Sequence, residues 1–137
     1  MSVQATDRGK SKFECLINTM RLAIYTIRIT KNEKVFLPEY RSALTDDIIR
    51  SAKNIHIYAW QANDIRVDSA EKYAKRRELQ QKAIDECTTL LPTIQMAKTV
   101  FHLKGTRIKY WTKLIVEARD GLRAWKNSDS KRYKEFK

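Results

Sequence analysis

Lys72, Lys75, Arg76 and Arg77 crowd the stretch "AEKYAKRRELQQ". If that stretch opens a helix, the crowding runs against helix electrostatics, because the unpaired N–H groups already make that end partly positive and favour acids there. A second group repeats the conflict. Lys109 with Lys113 and Arg119 with Arg123 are i,i+4 neighbours, and Lys126 follows Arg123 by one turn. Like charges at that spacing cost about 0.2–0.5 kcal/mol per pair. A polyanion reverses the sign, since each cation that neutralises a phosphate also releases condensed counterions. These residues form the candidate nucleic-acid-binding set, and Lys131, Arg132, Lys134 and Lys137 extend its reach toward the C-terminus.

No other chemistry is spelled as clearly. His56 and His102 stand in different segments without a ligand partner in sequence, which makes them ordinary polar surface or satisfied core groups. There is no Gly-rich phosphate loop and no nucleophile motif. Asp46 with Asp47, and Asp85 with Glu86, are adjacent, so each pair points to different sides of a helix. The Glu-x-x-His pairs of a di-metal bundle are absent. The expectation is a noncatalytic chain with no metal and no cofactor. Nothing in the sequence spells a zinc finger or a recognition helix for reading duplex DNA. Trp60, Tyr58, Tyr110 and Tyr133 are placed to stack on unpaired bases or to meet another subunit, whereas Trp111 and Trp125 fall in phase with an apolar stripe and belong to the core.

The elements that must position these groups follow from composition and period. A chain of 137 residues is one domain with room for a real core. Three Gly and two Pro leave little material for the tight turns of a β fold, which points to helices. The net charge of +12 calls for a polyanionic partner, and residues 105–137, with ten cations against four acids, carry half of it. Cys15 and Cys87 lie far apart and outside any Cys-x-x-Cys, as expected of reduced, buried thiols in a cytoplasmic protein. The polar start "MSVQATDRGK" does not resemble a signal peptide, and no apolar run approaches the roughly 20 residues that span a bilayer. No membrane association is expected.

Four helices emerge, spanning residues 12–127 between an N-terminal tail, 1–11, and a basic, mobile C-terminal tail, 128–137. In the first, about 12–31, Phe13, Leu16, Ile17, Met20, Ala23, Ile24 and Ile27 line one face. The second follows Pro38 or the "TDD" at 45–47 and carries Leu44, Ile48, Ala52, Ile55, Ala59 and Ala62. The third opens at a capping box of Asp68 and Glu71; its stripe of Leu79, Ala83, Cys87, Leu90, Leu91, Ile94 and Ala97 starts late enough that its basic first turns project beyond the packed bundle. Pro92 predicts a kink in this helix, and Gly105 with Thr106 a stop and a new N-cap. In the fourth, Ile108, Trp111, Ile115, Ala118, Leu122 and Trp125 alternate by three and four, the period of nearly aligned helix packing. With short connections this predicts an all-α, up-down antiparallel four-helix bundle.

The order of "FLPEYR", "IYAWQAND", "AEKYAKRRELQQKAIDECTTLLPTIQMAK" and "LIVEARDGLRAWKNS" resembles a four-helix bundle family with two branches. One comprises the accessory variability determinant proteins of diversity-generating retroelements; the other comprises small bundle proteins encoded in intervening sequences of large-subunit ribosomal RNA genes. The resemblance covers roughly residues 12–128. Two departures mark it: Leu37 intervenes between Phe36 and Pro38, and Pro92 interrupts a third helix that is commonly unbroken. The resemblance implies a positively charged homopentameric barrel that binds the element's reverse transcriptase and template RNA, and its cDNA product, without being catalytic. The high net charge favours the retroelement branch over an intervening-sequence protein acting as a structural or general nucleic-acid-binding bundle.

Overall fold

A computed structural model describes residues 5–137, and every described element is helical. Four long helices, α1 (Ala5–Thr30), α2 (Asp46–Asp64), α3 (Ala70–Phe101) and α4 (Gly105–Arg132), are joined by short connections, with a 3₁₀ turn at Pro38–Tyr40, a π turn at Arg41–Thr45 and a last 3₁₀ turn at Lys134–Phe136. Each helix packs on two others, in the cyclic order α1, α2, α3, α4 and back to α1. Their directions follow from contacts. Trp111 reaches Thr26 while Gly121 lies against Cys15. Asp129 meets Arg76 while Lys126 meets Gln81. Ser51 meets Glu86 while Lys82 lies over Tyr58. In each case residue numbers rise on one helix as they fall on the other, so neighbours are antiparallel and the up-down bundle stands.

The core is built where the sequence periods place it in α2 and α4. Ile48, Ala52, Ile55, Ala59 and Ala62 are buried on one side of α2, and Ile108, Trp111, Ile115, Ala118, Leu122 and Trp125 on one side of α4. In α3, Ala83, Cys87, Leu90, Ile94 and Ala97 are buried and Leu79 and Leu91 pack at the edge.

Helix α1 departs from expectation. Its buried face is Cys15, Thr19, Leu22, Ala23, Thr26 and Thr30, whereas Phe13, Ile17, Met20 and Ile27 are exposed. Threonine is admitted to the interior because each hydroxyl is satisfied: Thr30 donates to the Thr26 carbonyl, Thr26 accepts from Trp111 Nε1 at 3.0 Å, and Thr19 bonds His56 Nδ1 at 2.9 Å.

Helix boundaries also shift. Residues 1–4 of the expected N-terminal tail lie outside the described residues, and from Ala5 onward the chain is already helical. At the start of α3 the N-cap is Ser69, whose side chain accepts from the Lys72 N–H at 3.2 Å; Asp68 instead holds the Lys72 ammonium. Pro92 does not end α3, and it lies on the exposed side of the helix, away from the core. The left-handed residue that stops α3 is His102 (φ 53°), not Gly105, and the Leu103 N–H closes the turn on the Lys98 carbonyl at 3.1 Å. Gly105 is the first residue of α4, and Lys104 precedes it without a side-chain cap.

The largest correction is at the C-terminus. The stretch expected to be a mobile tail continues α4 to Arg132, with Ser128 and Asp129 buried. That extra turn and a half covers the opening of α3, so Tyr73, Arg76 and Gln80 are buried rather than projecting past the bundle.

Candidate nucleic-acid interface

The cations of early α3 divide between three environments. Arg76 points inward, 6% exposed, and grips Asp129 with two bonds, Nε to Oδ2 at 2.8 Å and Nη2 to Oδ1 at 3.1 Å. Its guanidinium also lies 5.0 Å from the Trp125 ring centre and 5.7 Å from that of Tyr133. A side chain so engaged is a structural latch between α3 and α4, and Arg76 leaves the candidate set. Lys72 and Lys75 lie on the α2 side, lining a depression that also contains Asp64 and Glu71, and Lys72 is paired with Asp68 at 3.2 Å. Acids there already compensate the bases. Arg77 turns the other way, toward Lys126 of α4, and its Nη1 donates to the hydroxyl of Tyr73, one turn back on α3, at 3.2 Å.

On α4 the cations separate by turn. Lys109 is exposed and Lys113 reaches Glu117 at 3.9 Å. Both lie far along the helix from Lys126, about 20–25 Å at 1.5 Å per residue. Arg119, Arg123 and Lys126 sit on the turns that face α3. Between the two helices runs a groove of about 270 Å³ lined by Gln81, Ile84, Arg123, Lys126 and Asn127. Arg77 stands beside it, close enough to disfavour the charge on Lys126. The structure thus brings together Arg77, Arg123 and Lys126, with Arg119 one turn along, and leaves Lys72, Lys75, Lys109 and Lys113 apart.

The electrostatics of this groove are unbalanced. Among the described residues, Arg77, Arg123 and Lys126 form no ion pair, and Arg119 has only a 3.6 Å contact with Asp120. Arg119 Nε is buried without a hydrogen-bond acceptor. The Lys126 ammonium donates to Gln81 Oε1, and its pKa is lowered first by burial and then by Arg77, with Asp85 opposing. Like charges held together at partial burial form a site that an anion would relieve. Two amides that sequence analysis did not single out, Gln81 and Asn127, complete the lining. Neither has a motif; they are found only when α3 and α4 are laid side by side.

The aromatic candidates are distributed differently from expectation. Trp111 and Trp125 are core, as their phase requires. Tyr133 packs on Tyr73 with ring centres 5.6 Å apart, and Tyr110 lies edge-on to Tyr25 at 5.0 Å. Tyr58 is half-buried beneath Lys82. Trp60, on the α1/α2 side, is the most exposed of these at 59%, and Tyr110 is 45% exposed.

Among the described residues no group of three His, Cys, Asp or Glu side chains could hold a metal ion, and no helix is long and apolar enough to cross a membrane. Cys15 and Cys87 are buried free thiols, each pushed up to about 12 by burial. His56 is held as the neutral ring by burial, its pKa lowered. No family model, no curated protein and no solved structure matches this chain.

Proposed function

We propose that this chain is a noncatalytic accessory subunit of a diversity-generating retroelement, which binds the reverse transcriptase and its template RNA and supports error-prone cDNA synthesis. The supporting observation is the α3/α4 groove, where Arg77, Arg123 and Lys126 converge and, among the described residues, form no ion pair, with Asp85 the acid that acts on Lys126. Such a groove suits a phosphate backbone better than a base edge, so it would hold RNA by charge and shape and leave sequence recognition to the other components. Assembly into a homopentamer belongs to the same proposal and rests on the family resemblance. In a ring of bundles, repeated grooves would lengthen the phosphate path without any new contact type.

Two experiments test this. Tagged protein expressed with its neighbouring genes should co-purify a reverse transcriptase and a specific RNA. Absence of both favours an intervening-sequence type bundle. In parallel, RNA binding is followed by anisotropy as salt is raised. Arg77→Gln, Arg123→Gln and Lys126→Gln should each weaken binding and reduce the log–log salt slope by about 0.7–0.9 for each phosphate no longer neutralised. A wild-type slope in all three variants would place the phosphate path elsewhere.

A further inference from the structure

Helix α1 carries two seams, and the bundle uses only one. The inner seam is the Cys15, Thr19, Leu22, Thr26 and Thr30 face described above. The outer seam is Phe13, Ile17, Met20, Ile24 and Ile27, spaced four, three, four, three. This alternation is a heptad pattern sustained over four turns, the period at which a second helix packs by inserting knobs into holes. Phe13 is 65% exposed and Met20 50%. The seam continues onto α2. Thr19 and His56 fix the α1/α2 register, and one turn beyond His56 stands Trp60, 59% exposed, its ring centre 6.3 Å from that of His56. A contiguous apolar stripe with an exposed Trp at its border marks an interaction surface.

Charge selects the occupant. Along the stripe's outer edge Arg21 and Arg28 occupy the positions that in a two-helix packing face the partner's flanking residues, and both are exposed with no ion pair among the described residues. Lys31 follows directly on the end of the stripe, and Lys53 of α2 adds a cation on the other side. The bordering acids stand at the two ends of the face, Glu14 and Asp64 toward Phe13 and Asp46 at the start of α2, where it already pairs with Arg41 at 3.8 Å. A second copy laid stripe on stripe would set these cations against their own equivalents, on a chain already carrying +12. An acidic helix would neutralise them.

We infer that the α1/α2 face docks an amphipathic helix of a partner polypeptide whose apolar heptad seam is flanked by Asp or Glu. This supplies a docking face for the protein partner in the proposed function, and it is independent of the RNA groove, which lies on the opposite, α3/α4 side of the bundle.

The test uses the full chain and two Trp-free designed helices of about four heptads, with Leu and Ile in the seam and either Glu or Lys at the flanks. Trp111 and Trp125 are buried, so Trp60 reports docking through its emission. The Glu-flanked helix should blue-shift that emission and bind at least about tenfold more tightly than the Lys-flanked one, with the difference shrinking as salt rises. Ile17→Glu with Ile24→Glu should abolish docking while helicity and RNA binding stay at wild-type levels. Equal binding of both helices, binding of neither, or undiminished binding to the double variant overturns the inference. So does a wild-type oligomer that the double variant converts to monomer, because the stripe would then belong to a second copy. None of these outcomes touches the RNA reading, whose failure would appear only as wild-type RNA affinity and salt slope in the groove variants.

Discussion

Replacing Asp129 by Ala removes the partner of Arg76, the most deeply placed cation among the described residues. Asp129 accepts three hydrogen bonds, from Arg76 Nε at 2.8 Å, Arg76 Nη2 at 3.1 Å and Gln80 Nε2 at 2.8 Å, while Arg76 Nη1 reaches only the Ile65 carbonyl at 3.3 Å. Without the carboxylate, an arginine whose side chain is 7% exposed keeps its charge and loses its two best acceptors. Breaking one side of a buried ion pair costs about 3–5 kcal/mol, chiefly through the charge left unpaired. Replacing both partners by apolar groups of similar size, Arg76→Met with Asp129→Leu, should cost much less, and the double-mutant cycle should show coupling of about 2–3 kcal/mol. Urea unfolding followed by far-ultraviolet circular dichroism measures all four states. Raising the salt should leave the penalty nearly unchanged, because a buried pair is poorly screened. A loss below about 1 kcal/mol for Asp129→Ala would refute the latch and would mean that Arg76 escapes to solvent.

Trp111→Ala should cost about 3–5 kcal/mol in the same unfolding assay, since it empties a fully buried site and orphans the Thr26 hydroxyl. Cys15 and Cys87, pushed up to about 12, should resist a thiol reagent at pH 8 in the native protein and react at once in denaturant. Their folded values lie above the unfolded value of about 8.5, so their contribution to stability is complete below that pH and is lost as pH rises toward 12; Cys15→Ala with Cys87→Ala should flatten the alkaline decline in urea midpoint. His56 has the opposite sign: its folded pKa is lowered, so stability is full above about 6.5 and falls as the pH drops below it, a step that His56→Gln should remove.

How far the fold was legible depended on whether a position was decided by its neighbours in sequence. The three-four alternation from Ile108 to Trp125 is local, and it located the core face of α4. In α1 the same rule found a stripe but assigned it to the wrong side. Thr19, Thr26 and Thr30 read as polar, yet their hydroxyls are satisfied by α1's own carbonyls, by His56 and by Trp111, and none of these bonds leaves a pattern in the chain. Arg76 failed for a related reason. Its partner is 53 residues away, in a segment with no apolar stripe, so nothing near Arg76 distinguished it from Arg77 next to it. One residue of helical rotation decides the difference: Arg76 faces the core and Arg77 faces the groove.

The latch and the groove are coupled by geometry, which yields a last discriminating test. Arg76 and Gln80 hold Asp129 on α4, and the adjacent residues on the same turns, Arg77 and Gln81, meet Lys126. The ion pair therefore fixes the register at which the unpaired cations face one another. Asp129→Ala should loosen that register and weaken RNA binding even though Asp129 carries the charge a phosphate would avoid; simple electrostatics predicts the reverse, since removing an acid raises the net charge. Arg76→Met with Asp129→Leu separates the two effects. If Arg76 only positions the groove, the double variant regains both stability and the full salt slope of RNA binding. If Arg76 touches phosphate itself, stability returns but the slope stays lower by about 0.7–0.9, the amount expected for a single phosphate. The salt slope, more than the affinity, decides whether this arginine serves the fold or the ligand.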